Sequence, residues 1–188
     1  MTYDFVAMGA SWGGLQAVET VLDGLPDGFR APIAIAQHRA ADSGSGALAR
    51  VLSLRSGLDV SDAGDKDAIE PGGVYLAPPD YHLLVEPTGF ALSTDAVVQH
   101  SRPSIDVLLD SAADTYGDRL IAVILTGANE DGAYGVKRVK RRGGVTIAQD
   151  PAAAARREMP EAAIATGAID HVLPLEDIGP RLGELVGA

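Results

Sequence analysis

Tyr3-Asp4-Phe5-Val6-Ala7-Met8 runs directly into Gly9-Ala10-Ser11-Trp12-Gly13-Gly14, and this junction decides the fold. An apolar run, a glycine-bracketed turn and a helical pattern read as strand, turn and helix, with one serine at the bend. The match is Gly-x-Ser-x-Gly, where glycines permit a tight turn and the amides opening the helix point at the space beside the hydroxyl. Two other readings compete. Gly9-x-Ser11-x-x-Gly14 approaches a dinucleotide loop but lacks its middle glycine, and the second apolar run, Ala31 to Ala36, leads into Gln37-His38 instead of a ribose-binding acid. Ser11 could also simply cap the helix.

Outward from this junction the chain keeps an α/β rhythm. Apolar runs recur at Phe5 to Met8, Ile33 to Ala36, Val74 to Ala77, Leu120 to Leu125 and Val145 to Ala148. Helical patterns cover Gly14 to Leu22, Gly46 to Leu54, Ser104 to Tyr116, Gly132 to Arg142, Pro160 to Thr166 and Leu175 to Val186. Leu83-Leu84-Val85 and Phe90-Ala91-Leu92 flank Glu86-Pro87-Thr88-Gly89 and read as a hairpin, so a mostly parallel sheet with a short antiparallel insertion is expected.

The 188 residues suit one domain, 1–188, with a sizeable core. With 46% hydrophobic residues and no apolar run near the roughly 20 residues of a spanning helix, a soluble globular protein without membrane insertion is expected. The N-terminus lacks the pattern of a signal peptide and there is no cysteine, which excludes disulfides and thiolate chemistry and points to the cytoplasm. A formal net charge of -11 disfavours nucleic acid. Lys137, Arg138, Lys140, Arg141 and Arg142 crowd one helix end, where cations meet the negative pole of the dipole; a docking patch for an acidic partner is the other reading.

Sites on open parallel sheets form at the carboxyl ends of strands, and Ser11, His38 and Asp131 each follow an apolar run. A serine hydroxyl needs a base, for which imidazole is suited, and a carboxylate to orient that imidazole. Of the four histidines, His82 opens a hairpin strand, His100 lies in a loop and His171 starts a late apolar run, which leaves His38. Asp131 is the best placed acid, although it could instead cap the helix from Gly132; Glu130 and Asp106 are substitutes. The chain order Ser11, His38, Asp131, with the serine after the first strand, rejects the α/β-hydrolase fold.

These residues resemble the catalytic domain of the bacterial chemotaxis protein-glutamate methylesterases (CheB-type). The similarity spans nearly the whole chain: the Gly9 to Gly14 loop, Gln37-His38, Leu125 to Gly132, Tyr75 to Leu83, Arg102 to Leu108, Ala148 to Asp150 and Met159 to Ile164. The resemblance implies a doubly wound α/β fold and hydrolysis of glutamate γ-methyl esters on cytoplasmic chemoreceptor helices, with deamidation of receptor glutamines as a second activity and no cofactor or metal. In that reading Ser11 attacks, His38 shuttles the proton and Asp131 orients His38. Trp12 and Ala128-Asn129 depart from the family pattern and, with Gly13, are candidates for the substrate cleft and the oxyanion donors. Family members commonly carry an N-terminal receiver domain, whereas this chain starts at the catalytic domain's first strand; a stand-alone form or an excised domain is implied, with any regulator acting in trans. A noncatalytic receptor-binding module on the same fold is the main alternative, and a nucleotide-binding domain a third.

Overall fold

The computed structural model describes residues 3–40, 44 and 46–188. Strand β1 (Phe5–Ala10) is buried along its whole length, because helices cover both faces of the sheet it centres. Side chains alternate across it: Phe5 and Ala7 enter one apolar layer, Val6, Met8 and Ala10 the other. The chain continues through α1 (Gly14–Asp23), β2 (Ile33–Gln37), α2 (Ala47–Ser56), β3 (Val60–Asp62) and β4 (Val74–Leu76). A hairpin, β5 (His82–Glu86) and β6 (Gly89–Ser93), precedes α3 (Ile105–Tyr116) and β7 (Leu120–Ile124). Then come α4 (Ala133–Arg141), β8 (Val145–Gln149), α5 (Glu158–Ala165), β9 (His171–Leu173) and α6 (Leu175–Val186).

Seven strands form one parallel sheet in the order β3-β4-β2-β1-β7-β8-β9, while β5 and β6 pair antiparallel as a separate ribbon. The winding reverses at β1, with β2 on one side and β7 on the other, so the doubly wound topology opens a crevice at the carboxyl ends of these three neighbours. Helices α1, α2 and α6 pack together on one face; α3, α4, α5 and the hairpin occupy the other. Gly9 brings α3 close to β1: a Cβ there would lie 2.3 Å from Cγ2 of Ile105.

The edge strand β3 has no counterpart among the predicted runs, the other edge strand β9 coincides with the late apolar run that starts at His171, and α5 starts two residues before the expected Pro160. Pro160 occupies the first turn of α5, where its missing N–H costs no intrahelical bond. No helix among the described residues is long and apolar enough to cross a membrane.

Candidate active site

Ser11 sits on the turn between β1 and α1. Its N–H donates to the Thr126 carbonyl at 2.9 Å, which extends the β1–β7 pairing past the strand ends. The cap position of α1 is Gly13, in the left-handed region at φ 77°, and a Cβ there would meet Ala155 at 2.7 Å. Ser11 is therefore not the helix cap, and its hydroxyl is free for other work. Gln37, the last residue of β2, spans the two neighbouring loops by donating Nε2 to the carbonyls of Ser11 (2.8 Å) and His38 (3.1 Å).

His38 follows β2, and its N–H continues the parallel ladder to the Ala10 carbonyl at 3.0 Å. Its ring bridges the crevice: Nδ1 lies 3.1 Å from Ser11 Oγ and Nε2 lies 2.7 Å from Asp131 Oδ2. An ionised carboxylate only accepts, so Nε2 carries the proton toward Asp131 in the neutral ring, and Nδ1 presents its lone pair to the serine hydroxyl. Asn129 Nδ2 (3.4 Å) and Ser101 Oγ (3.5 Å) also approach Nδ1 from the rim.

Asp131 is fully buried, yet every lone-pair direction of its carboxylate is used. Oδ1 accepts from Ser104 Oγ and the Asp106 N–H, both at 2.9 Å; Oδ2 accepts from the Ile105 N–H at 2.7 Å as well as from His38. The expected capping role falls on a different helix. Gly132 caps α4, whereas the Asp131 side chain holds the N-terminus of α3, where the dipole favours an anion. Asp106, in the first turn of α3, returns the arrangement: its Oδ1 accepts from the N–H groups of Gly132 (2.9 Å) and Gly135 (2.7 Å) at the start of α4. The N-terminal N–H groups of each helix thus donate to a carboxylate from beside the other. Burial, aided by the nearby Asp131 charge, pushes the Asp106 carboxyl up to about 6 against the backbone donors that lower it.

Ser11, His38 and Asp131 come together as predicted. Trp12 stands beside them with 66% of its surface exposed, and Asn129 joins them through His38. The N–H groups of Trp12 and Gly13 find no acceptor among the described residues, which suits oxyanion donors. Neither substitute acid contacts His38: Glu130 is exposed, and Asp106 acts across the helix pair. His82 is buried between the Ala96 carbonyl and the Ser104 N–H. Gln37, Ser104 and Thr126 lie within the quoted segments Gln37-His38, Arg102 to Leu108 and Leu125 to Gly132 but were assigned no role there; Thr126 Oγ1 ties the Trp12 carbonyl at 2.9 Å to the backbone of Arg156. Alongside Ser11 a groove of about 640 Å³ runs past Leu15, Glu19 and Arg55. A second hollow, about 570 Å³, lies beyond Ala128 and Asn129. No group of three or more His, Asp or Glu side chains among the described residues is placed to hold a metal ion.

The CheB methylesterase family model matches residues 6–182. The chain belongs to the CheB methylesterase family. A protein of Leptospira interrogans, provisionally named a protein-glutamate methylesterase/protein-glutamine glutaminase, is 45% identical over 95% of this chain and 92% of its own length. The protein-glutamate methylesterase FrzG of Myxococcus xanthus is also 45% identical, over 98% of this chain but 55% of its own length. The crystal structure of the Thermotoga maritima CheB methylesterase catalytic domain superimposes with a TM-score of 0.92 at 37% identity, covering 99% of this chain and all of that one. Membership of the CheB methylesterase family displaces the dinucleotide reading of the Gly9 to Gly14 turn.

Proposed function

We propose that this protein is a protein-glutamate methylesterase that hydrolyses glutamate γ-methyl esters on the cytoplasmic helices of methyl-accepting chemoreceptors and deamidates glutamines at such sites. The observation that carries this reading is the unbroken line from Ser11 Oγ through His38 to the buried Asp131 carboxylate. The names carried by its relatives supply the ester and amide chemistry.

Ser11 Oγ attacks the ester carbonyl carbon while its proton passes to His38 Nδ1. Asp131 fixes the ring tautomer and stabilises the imidazolium. The oxyanion of the tetrahedral intermediate is met by the N–H groups of Trp12 and Gly13. Collapse breaks the bond to the methoxy oxygen, which leaves as methanol with the proton from Nδ1; an amide substrate would release ammonia instead. Water then adds to the acyl-enzyme with His38 again as base, and the second collapse frees Ser11 and the glutamate carboxylate. Methanol release from methylated receptor, measured with the purified protein, tests the reading. Binding of the methylated receptor without methanol would instead favour a noncatalytic module.

A further inference from the structure

Trp12 and Arg156 meet across the nucleophile turn, and the backbone fixes both. The Thr126 hydroxyl lies within hydrogen-bond distance of the Trp12 carbonyl and of the Arg156 N–H and carbonyl, while the Gly127 N–H donates to the Arg156 carbonyl at 3.2 Å. Segment 154–156 is thereby laced to the loop that carries Ser11, and the Arg156 guanidinium sits 5.7 Å from the centre of the Trp12 ring. Stacking holds an arginine in place without consuming its N–H donors, which point outward in the guanidinium plane.

The nearby cations are already engaged. Arg39 is bonded to Asp62 and the Ala77 carbonyl, Arg102 to Asp80 and two carbonyls, and Arg157 to Glu161. Among the described residues the Arg156 guanidinium has only Glu158 for an ion partner, at 3.9 Å and beyond hydrogen-bond reach, and its side chain is half exposed. The protein carries a net charge of -11, yet a cation lies over the ring of Trp12, the residue that follows Ser11. At physiological salt the screening length is about 8 Å, so the distant charges behind that total are largely screened from a group bound at this turn.

We propose that Arg156, held on Trp12, is the specificity-determining residue of the site and selects polypeptide esters that carry a carboxylate next to the modified glutamate. The proposal rests on the esterase reading above. Arg156 takes the neighbouring carboxylate by paired N–H donors and so holds the chain with its ester over Ser11.

The test uses two peptides, each with one γ-methyl glutamate, flanked on both sides by aspartate in one and by asparagine in the other. Initial methanol release by the wild-type protein is expected to favour the aspartate peptide about tenfold in kcat/KM, as charge-assisted contacts of this kind allow. Arg156→Gln should bring the ratio close to one, and Arg156→Lys should restore part of it. An arginine that only braced the loop would, when replaced, slow both peptides alike and leave the ratio intact. That result, or a wild-type protein indifferent to the flanking charge, overturns the proposal while leaving the esterase reading standing. Affinities of both peptides for Ser11→Ala, with and without Arg156→Gln, separate the other case. Charge-selective binding that depends on Arg156, without turnover by the wild-type protein, would sink the esterase and keep the selectivity. Absence of both turnover and charge selectivity would sink the two together.

Discussion

The Asp131 carboxylate accepts four hydrogen bonds, one from His38 and three from the start of α3, so an amide cannot take its place. Whichever way the side chain of Asp131→Asn turns, its NH₂ faces donors. Turnover is expected to fall by about 10⁴ through loss of the histidine tautomer, and stability by about 1–3 kcal/mol through unpaired buried groups. Activity assays and denaturant midpoints on the same sample check both. Asp106 behaves differently, because both of its backbone donors converge on Oδ1, which an asparagine retains. Its folded pKa of about 6 lies above the ordinary 3.8, so the native state holds this proton more tightly than the unfolded chain. The associated stability is fully present below the unfolded value and is lost as pH rises through about 6. Asp106→Asn should therefore gain about 2 kcal/mol relative to the wild type between pH 4 and pH 7, read from urea midpoints across that range. A constant difference would mean that Asp106 does not titrate there. Ser11, His38 and Asp131 were legible because strand-end positions and residue chemistry select them. The four-way bonding of Asp131 was not, because the three donors besides His38 lie 25 to 27 residues upstream.

Elements visible in the sequence are those with enough buried length to leave a pattern. β1, β2 and β7 are near-continuous apolar runs, since both faces are covered. β3 and β9 lie at the sheet edges, are three residues long and are only partly buried, so Val60-Ser61-Asp62 and His171-Val172-Leu173 carry no distinguishing period. The basic cluster in and after α4 has a plainer role than a docking patch: Arg138 pairs with Asp110 and Asp114, Arg142 with Asp114 and Lys140 with Asp170. Gly9 shows the opposite case, a single residue on which the seating of an element depends. A methyl group there would press on Ile105, whose N–H holds Asp131. Gly9→Ala should cost about 1–3 kcal/mol by overpacking. It should also lower turnover more than the fraction unfolded explains, because α3 carries the donors that aim Asp131. Activity per folded molecule, measured alongside the urea midpoint, decides; full specific activity would show that α3 moves without disturbing the acid.

Across the whole molecule, the reversal of winding at β1 puts three loops, from β2, β1 and β7, at one crevice, and each contributes one residue of the hydrogen-bonded line Ser11–His38–Asp131. Both apolar layers share that sheet, so one cooperative unfolding transition is expected, with far-UV dichroism and the fluorescence of Trp12, the only tryptophan, changing together in urea. Separated midpoints would divide the chain into independent units. The substrate-side charge selection assigned to Arg156 depends on this frame, since it is the packing of segment 154–156 on the nucleophile turn that holds the guanidinium at the site. In the proposed reaction Ser11 supplies the attacking oxygen. Ser11→Ala removes one hydroxyl from a surface turn whose hydrogen bonds are made by the backbone, so folding should be unaffected. Methanol release from a γ-methyl glutamyl polypeptide should fall by about 10⁴ to 10⁶ with the dichroism spectrum and melting temperature unchanged. Near-normal methanol release from a folded Ser11→Ala protein would contradict it.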